Sequence, residues 1–278
     1  MNPLQANLHT HADFCDGQKP LEEMIRAAVD LDYLALGFSS HSPLPFANDY
    51  AMTPRAEAAY LDAMDAMKEK YRDDLELLTG LEWDLDTPEG FVPFSRYDFI
   101  IGSVHQLHVK GKTYAVDESR ESFAVLVEEG FGGDALQAVQ AYYDAVVRSA
   151  LRPQVDIVGH FDLLRKYNDR NGFFDETAES YRKIARDALI GIVNQRKDLV
   201  FEVNFGGMKR AGLLTPYPDR FLMEHLCRLN ARITLQADAH APNALGEGWD
   251  EAIRYAKEAG FRYVYRLRQD AIWERMQI

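Results

Sequence analysis

Cysteine is scarce in this chain, because Cys15 and Cys227 are the only two among 278 residues and they do not form a CxxC pair. A disulfide framework is therefore excluded, and both thiols are expected to be reduced. Basic residues are also few: 31 Lys and Arg stand against 44 Asp and Glu, which gives a formal net charge of −13. That balance opposes docking on nucleic acid or an anionic membrane, both of which need clustered basic residues. A small-molecule substrate is the remaining expectation.

Long apolar runs are missing as well, so no segment is expected to span a bilayer. The polar cluster NLHTHADFCDG begins at residue 7 and leaves no room for a signal peptide, so a cytoplasmic protein is expected. Hydrophobic residues make up 47% of the chain, enough for one sizeable core, and no linker-like stretch divides it. The sequence predicts a single domain over residues 1–278 and leaves the oligomeric state open.

The chain repeats one pattern, in which a short β-branched or Leu-rich run is followed by a polar cluster and a longer amphipathic segment. Strands are predicted at 5–8, 34–38, 75–82, 98–104, 155–159, 199–204 and 232–237, with a possible eighth at 262–266. Helices are predicted at 21–31, 53–72, 119–129, 134–150, 176–196, 219–229 and 247–259. Alternating strands and helices in this number favour an α/β fold with a parallel, TIM-like barrel over an open sheet.

Histidines follow the predicted strands at the points where the strands end. The segments NLHTH, GFSSH, GSVHQ, VGHFD and ADAH each close a strand, and TGLEWD places a glutamate at an equivalent position. The carboxyl ends of barrel strands converge on the face where barrel active sites lie. A lone histidine there is more often structural, but unrelated structural histidines have no reason to gather at one end of a barrel. The pattern predicts a metal site made of His9, His11, His41, His105, His160, His240, Glu82 and Asp238.

The ligand types narrow the choice of metal. Imidazoles and carboxylates without thiolates suit Zn²⁺, Fe²⁺ or Mn²⁺ and argue against an all-oxygen Ca²⁺ site. The predicted donors exceed the about four to six that one such ion takes, so more than one ion is expected. Glu82 is the natural bridging carboxylate. Two ions about 3.5–4 Å apart would hold a shared hydroxide and bind an oxyanion.

The order of the motifs HTHADFCDG, GFSSHSPLPF, GLEWD, GSVHQ, GHFDLLRKYN, FEVNFGG and ADAH resembles the polymerase and histidinol phosphatase (PHP) superfamily. The motifs look most like the PHP-class histidinol-phosphate phosphatases, phosphomonoester hydrolases of histidine biosynthesis. The resemblance implies a distorted (β/α)7 barrel with three divalent metal ions. By position it assigns His9, His11, Glu82 and Asp238 to the first ion, Glu82, His105 and His160 to the second, and Asp16, His41 and His240 to the third. The role of Asp16 rests on the resemblance alone.

Two positions depart from the family pattern. Ser40 precedes His41 where the family often has an acidic residue, and Ala237 stands where the family often has serine in SDAH. Neither position is a direct ligand in the family, so the departures concern hydrogen bonds to ligands and metal preference. Cys15 lies beside Asp16, and we interpret it as a packing residue.

Phosphate-ester hydrolysis needs a nucleophile and a partner for the phosphate charge, and we expect a hydroxide bridging the ions near Glu82 to be the nucleophile. Arg165 is the first candidate for binding phosphate, since arginine binds phosphate bidentately. The second candidates, Lys209 and Arg210, follow the strand that ends at Asn204, and Asn204 is counted with this substrate-binding group.

The leaving alkoxide needs a proton, which Asp238, His240 or a metal-bound water could supply. Histidinol phosphate carries an ammonium and an imidazole, and Asp84 and Asp86 are spare carboxylates that could contact them. Two other hypotheses keep the barrel and the metals: another PHP phosphoesterase, acting on nucleotide or oligonucleotide phosphate, or an amidohydrolase that cleaves C–N bonds. Amidohydrolases often use a carboxylated lysine, and no lysine ends a predicted strand here.

Overall fold

The computed structural model describes residues 5–168 and 172–278. Within these ranges the strands are β1 (Ala6–Asn7), β2 (Ala35–Phe38), β3 (Glu76–Asp84), β4 (Phe99–Ser103), β5 (Gln106–Val109), β6 (Lys112–Ala115), β7 (Ile157–Val158), β8 (Val200–Asn204), β9 (Arg232–Gln236), β10 (Tyr263–Leu267) and β11 (Trp273–Gln277). The helices are α1 (Leu21–Asp30), α2 (Pro54–Lys70), α3 (Arg120–Val125), α4 (Ala135–Ala150), α5 (Glu179–Gln195), α6 (Gly206–Arg210), α7 (Arg220–Arg228) and α8 (Trp249–Glu258). None of these helices is both long and apolar enough to cross a membrane.

The central sheet has seven strands in the order β1-β2-β3-β4-β7-β8-β9. Every neighbouring pair is parallel. The two outer strands approach each other just beyond their ends, where Thr10 forms a parallel bridge with Ala239 and the backbone N–H of His11 donates to Ala239 O at 2.8 Å. The sheet is thus a nearly closed, distorted (β/α)7 barrel, and the expected fold class is confirmed.

The helices that surround the barrel begin where the sequence supplies caps. Thr53 accepts a hydrogen bond from Ala56 N at the start of α2, where Pro54 occupies the first helical position. Asp134 caps α4 in the same way. The longer helices then bury an apolar face because apolar residues recur at three- and four-residue spacing. In α1 the buried residues are Leu21, Met24, Ile25 and Ala28.

The lower part of the barrel interior is filled by an aromatic ring. Phe99 is buried, and an added Cβ at Gly80 would lie 2.1 Å from its ring, while one at Gly37 would lie 2.8 Å from it. The ring therefore needs glycine on β3, the neighbouring strand, and on β2, the strand beyond it. Glu82 stands two residues beyond Gly80 on β3, so its side chain points to the same face, one layer higher.

The prediction that residues 262–266 form an eighth barrel strand is wrong. The segment forms β10, which pairs antiparallel with β11 in a separate two-stranded sheet. This hairpin covers the amino-terminal end of the barrel: Leu267 packs with Ala6 and Leu8, and Gln269 Nε2 donates to Leu77 O at 3.1 Å. Alternating apolar residues predict a strand here, but they do not say which sheet it joins.

Candidate metal centre

The predicted metal ligands meet at the carboxyl ends of the barrel strands. Parallel strand pairing places these residues at the same height in the barrel. For example, His41, just beyond β2, forms a parallel bridge with Glu82 of β3. Most of these side chains are buried, whereas those of Asp16 and His240 are 32% and 16% exposed. The residues brought together are His9, His11, Asp16, His41, Glu82, His105, His160, Asp238 and His240.

Glu82 lies at the centre of this cluster, and its side chain is 1% exposed. Its Oε2 atom lies 3.1 to 3.5 Å from ring nitrogens of His9, His11 and His41. Its Oε1 atom lies 2.9 to 3.4 Å from ring nitrogens of His105 and His160. One carboxylate thus faces five imidazoles, which is the geometry expected of a carboxylate that bridges metal ions.

Asp16 completes the outer side of the cluster. Its Oδ2 atom is 3.1 Å from His240 Nε2, and its Oδ1 atom is 3.6 Å from both His11 Nδ1 and His41 Nε2. The sequence pattern alone did not single out this residue, because it lies in the turn after β1 and not at a strand end. The resemblance of its CDG motif was the signal that found it.

The donor atoms fall into groups small enough to surround one ion, each with atoms within 4.8 Å of one another. The groups are His11, Asp16, His41 and His240; His9, His11 and Asp238; His9, Glu82 and His160; and His41, Glu82 and His105. Neighbouring groups share a histidine or Glu82, so adjacent ions would share ligands. The assignment of each ligand to one of three ions stays a prediction.

The residues present fit divalent metal ions. Among the described residues, His9 Nε2, His11 Nε2 and His41 Nδ1 are buried and have no hydrogen-bond partner. A buried polar atom left unpaired costs about 1–3 kcal/mol. These nitrogens all point toward carboxylate oxygens with unsuitable hydrogen-bond geometry, and a cation between them would satisfy both partners.

Two members of the cluster, His11 and Glu82, are already in the protonation states that bind a cation. Burial and the neighbouring His240 and His41 lower the pKa of His11 to about 3, so its imidazole is neutral. Burial would raise the pKa of Glu82, but the adjacent His41 and His9 hold that pKa well below its usual range. Neutral imidazole and ionised carboxylate are the forms that ligate metals. Burial would lower the pKa values of His9 and His105, but neighbouring carboxylates raise both well above their usual range, so these two imidazoles release a proton when a cation binds.

Two carboxylates that the sequence analysis did not assign to the centre orient its histidines. Glu202 Oε2 lies 2.7 Å from His9 Nδ1, and Asp84 Oδ2 lies 2.8 Å from His105 Nδ1. Such contacts fix the ring orientation and leave the other nitrogen free for a metal. Asp84 was expected to contact the substrate's cationic part, whereas the structure uses it to hold His105. Its position two residues after Glu82, on the same strand face, was the available signal.

The cluster forms the floor of a cavity of about 590 Å³. Its walls include two cations, Lys166 and Arg210, as well as Asp117, Tyr50 and Tyr217. Lys166 Nζ lies 2.9 Å from Asp117 Oδ2. The guanidinium of Arg210 contacts the Asp238 carboxylate and the ring of His240. The cavity therefore combines a metal-binding floor with basic groups beside it, an arrangement suited to a polyanionic ester.

Arg165, the first candidate for binding phosphate, does not line this cavity. Its side chain is 7% exposed, and its nitrogens are taken up by Glu176 at 2.8 Å, Thr215 at 3.0 Å, Asp162 at 3.2 Å and Asp219 at 3.3 Å. Burial raises the pKa of the Asp162 carboxyl to about 6, and the adjacent Arg165 keeps that pKa from rising further. Arg165 thus neutralises a buried group of acids.

Lys209 and Arg210, the second candidates for binding phosphate, lie in different environments. Arg210 lines the cavity, whereas Lys209 points outward, with its side chain 70% exposed and its Nζ 3.5 Å from Glu247. Consecutive residues of the short helix α6 point in different directions, so both cannot face the same site. Asn204 is buried and does not line the cavity. Its side-chain amide donates one hydrogen bond to Glu202 at 3.1 Å and another to Asp238 at 3.0 Å, so it holds the two carboxylates close to each other.

Cys15 does not act as a thiolate here. Burial, together with Asp16, raises the pKa of the Cys15 thiol to about 11. Its Sγ atom contacts Ala12 O at 3.5 Å and lies 3.4 Å from His11 Nδ1. This geometry is consistent with the packing role expected from the sequence.

A parallel barrel that gathers histidines and carboxylates around one central glutamate defines a metal-dependent hydrolase architecture. The family described as PHP domain matches residues 7–204, and the chain belongs to this family. The expected resemblance is thereby confirmed.

Individual proteins resemble the chain over nearly its whole length. A "probable histidinol-phosphatase" from Deinococcus radiodurans is 26% identical over 264 residues, which covers 92% of this chain and 94% of that protein. A solved chain from Listeria monocytogenes superposes with a TM-score of 0.76 at 24% identity, covering 88% of this chain and 99% of that one. The histidinol phosphate phosphatase of Lactococcus lactis, solved with zinc, L-histidinol and phosphate, has a TM-score of 0.67 at 18% identity and covers 98% of this chain and 99% of that one.

Proposed function

We propose that this protein is a metal-dependent phosphatase that hydrolyses L-histidinol phosphate. The observation that carries the proposal is the Glu82 carboxylate, which faces five imidazoles at the floor of a cavity whose walls include Lys166 and Arg210. The family membership and the histidinol-phosphatase relatives support the same reaction. A small-molecule substrate without nucleic-acid partners is part of this proposal and is supported by the net charge of −13. A cytoplasmic location is also part of the proposal.

His9, His11, Asp16, His41, Glu82, His105, His160, Asp238 and His240 would hold the divalent ions. When bound, the ions would lower the pKa of water toward about 7 and neutralise the phosphate oxygens. Zinc is supported by the zinc present in the relative from Lactococcus lactis, and the donor set also suits iron and manganese.

Arg210 and Lys166 are the groups we assign to the phosphate. Both line the cavity, and a guanidinium matches two phosphate oxygens at once. Lys166 Nζ is held at 2.9 Å by Asp117 Oδ2, which positions the ammonium group at the cavity wall. Arg210 takes the role first expected of Arg165.

Asp238 does not supply the proton of the leaving group. Burial would raise the pKa of Asp238, but Arg210 and His9 hold it well below its usual range, so its carboxylate is ionised at neutral pH. An ionised carboxylate has no proton to give to the leaving group. The two remaining candidates for the proton donor are His240 and a metal-bound water.

The test is a comparison of substrates with metal content measured on the same sample. Histidinol phosphate should be hydrolysed with kcat/KM at least about tenfold above p-nitrophenyl phosphate, a difference of about 1.4 kcal/mol. The aryl ester has the better leaving group, so such a preference must come from contacts with the imidazole and ammonium. A higher kcat/KM for the aryl ester or for a nucleotide would refute the assigned substrate and leave the metal centre standing.

A further inference from the structure

Tyr50 belongs to the loop that runs from His41 to α2 and forms part of the wall of the metal-floored cavity. The loop residues Asn48 and Asp49 are exposed, whereas the Tyr50 side chain is half-buried. Asn48 Oδ1 accepts hydrogen bonds from the backbone N–H groups of Ala51 at 2.7 Å and Tyr50 at 3.2 Å, which fixes the turn. Tyr50 is neither a predicted metal ligand nor one of the cations assigned to phosphate, so its position needs a separate explanation.

The ring of Tyr50 packs edge-on against two imidazoles of the cluster. Its centroid lies 5.0 Å from that of His41 and 5.9 Å from that of His105, at interplanar angles of 87° and 64°. His41 and His105 form one of the candidate ion-binding groups together with Glu82. The ring therefore lies against this group from the cavity wall, and its hydroxyl reaches Asp84, the carboxylate that holds His105.

The hydrogen bonds of the Tyr50 hydroxyl have a defined direction. The hydroxyl lies 3.3 Å from Gln106 Nε2, an amide nitrogen that can only donate, so the phenolic proton is left to donate to Asp84 Oδ2 at 3.2 Å. The same Oδ2 atom lies 2.8 Å from His105 Nδ1. The Asp84 side chain is 2% exposed, and among the described residues Tyr50 and His105 are the only side chains that hydrogen-bond to its carboxylate.

The contact with Asp84 decides which nitrogen of His105 serves the metal centre. A hydrogen bond from Nδ1 to Asp84 leaves Nε2 as the nitrogen available to an ion. That Nε2 atom faces the cluster, 3.4 Å from Glu82 Oε1 and 3.3 Å from His160 Nε2. The Asp84 carboxylate can orient the ring in this way only while its own Oδ2 atom is kept toward His105.

We propose that Tyr50 is a positioning residue of the metal centre that acts on His105 through Asp84. Its hydroxyl holds the Asp84 carboxylate against the His105 ring, so that Nε2 points to the ion-binding position beside Glu82. The proposal rests on the metal-binding part of the proposed function and is independent of the choice of substrate.

Zinc affinity is the measurement that isolates this role. The zinc-loaded protein would be titrated with a chromogenic chelator, which reports how tightly each zinc equivalent is held. Tyr50→Phe keeps the ring and removes only the hydroxyl, and it should lower the affinity for one zinc equivalent about tenfold, as expected of a residue that orients a metal ligand. Tyr97→Phe is the matched control, because Tyr97 also donates to a carboxylate, that of Glu57 at 2.7 Å, but on α2 and outside the cluster. The control should change zinc affinity less than about threefold.

A double-mutant cycle shows whether Tyr50 acts through Asp84. Asp84→Ala removes the carboxylate and should itself weaken binding of the same zinc equivalent about 10–100-fold. Adding Tyr50→Phe to Asp84→Ala should weaken it less than about twofold further, because the hydroxyl has no carboxylate left to hold. If Asp84→Ala does not fold, as judged by circular dichroism, the comparison of Tyr50→Phe with its control decides the matter.

Three results would overturn the proposal in different ways. Full zinc affinity in Tyr50→Phe, or an equal loss in the wild-type and Asp84→Ala backgrounds, would show that the hydroxyl does not act on His105 through Asp84. A raised KM for the phosphate ester with unchanged zinc affinity would place Tyr50 against the substrate instead. Failure of the wild-type protein to bind zinc would refute the metal centre of the proposed function, and with it any role for Tyr50 there.

Discussion

Replacement of Glu82 by glutamine tests the reasoning behind the metal centre most directly. The change keeps the size of the side chain but removes its negative charge and turns one oxygen into an N–H donor. In the structure both oxygens face imidazoles, Oε2 at 3.1 Å from His9 Nε2 and Oε1 at 2.9 Å from His160 Nε2. An amide nitrogen cannot ligate a cation, so one of the two adjacent ion positions loses its ligand and the other keeps only an uncharged oxygen.

The expected loss is large. Changing a residue that only orients a ligand commonly costs about 10–100-fold in metal affinity or activity, and Glu82 is itself a proposed ligand of two ions. We therefore expect Glu82→Gln to lose at least one metal equivalent and to retain less than about 1% of kcat/KM. Metal content would be measured by plasma mass spectrometry and activity by phosphate release.

Glu76→Gln is the matched control, since Glu76 begins the same strand and accepts a hydrogen bond from Gln269 N far from the cluster. That variant should keep its metal and activity. Full metal content together with unimpaired turnover in Glu82→Gln would refute the bridging assignment.

The remaining predictions separate phosphate binding from stability. Arg210→Ala should lower kcat/KM for histidinol phosphate about 10²-fold with the fold intact, because a guanidinium beside the metal-binding floor is lost; unchanged kinetics would transfer the phosphate contact to Lys166. Arg165→Ala should destabilise the protein by about 3–5 kcal/mol in urea unfolding, because it leaves buried carboxylates uncompensated; a normal unfolding midpoint with raised KM would restore the phosphate-binding role of Arg165. Leu267→Ala should cost about 2–4 kcal/mol and leave kcat/KM unchanged, since Leu267 packs under the barrel and away from the metals; lost activity in the folded variant would contradict this.

Most of the metal centre could be predicted because two regularities coincide. Parallel strands end on one face, and the ligands follow the strands at constant positions, so knowledge of the strands gives the location of the histidines. His9 and His11 illustrate this, since alternate residues of an extended segment point the same way. The barrel and the side of the barrel that carries the site follow from the same pattern.

The choice between Arg165 and Lys166 could not be predicted. Both lie in the 3-10 helix Leu163–Tyr167, where consecutive side chains point about 120° apart. A difference of one residue decides which cation faces the cavity and which faces Asp162. That decision depends on acids at distant positions, such as Asp219, which approach Arg165 only in the folded chain.

The β5–β6 hairpin was also beyond sequence reasoning. The polar stretch that begins at His108 predicts a loop on the active face of the barrel, and only the folded structure shows that residues 106–115 pair as an antiparallel hairpin. The function suggested for Asp86 from its position near Glu82 was contact with the substrate. In the structure the Asp86 carboxylate instead points toward His108, outside the metal-floored cavity.

The Phe99 ring beneath Glu82 limits the route by which metal ions exchange with solvent. It closes the barrel interior below the cluster, with Leu8, Leu78 and Ile101 around it, so there is no water-filled passage through that layer of the described structure. Exchange of metal with solvent must then occur from above. The ion nearest Asp16 and His240, whose side chains are the exposed members of the cluster, should leave first when a chelator is added, and the ions held around Glu82 should follow more slowly. The centre would therefore lose its metals in sequence, and partially loaded enzyme would consist mainly of molecules that keep the inner ions.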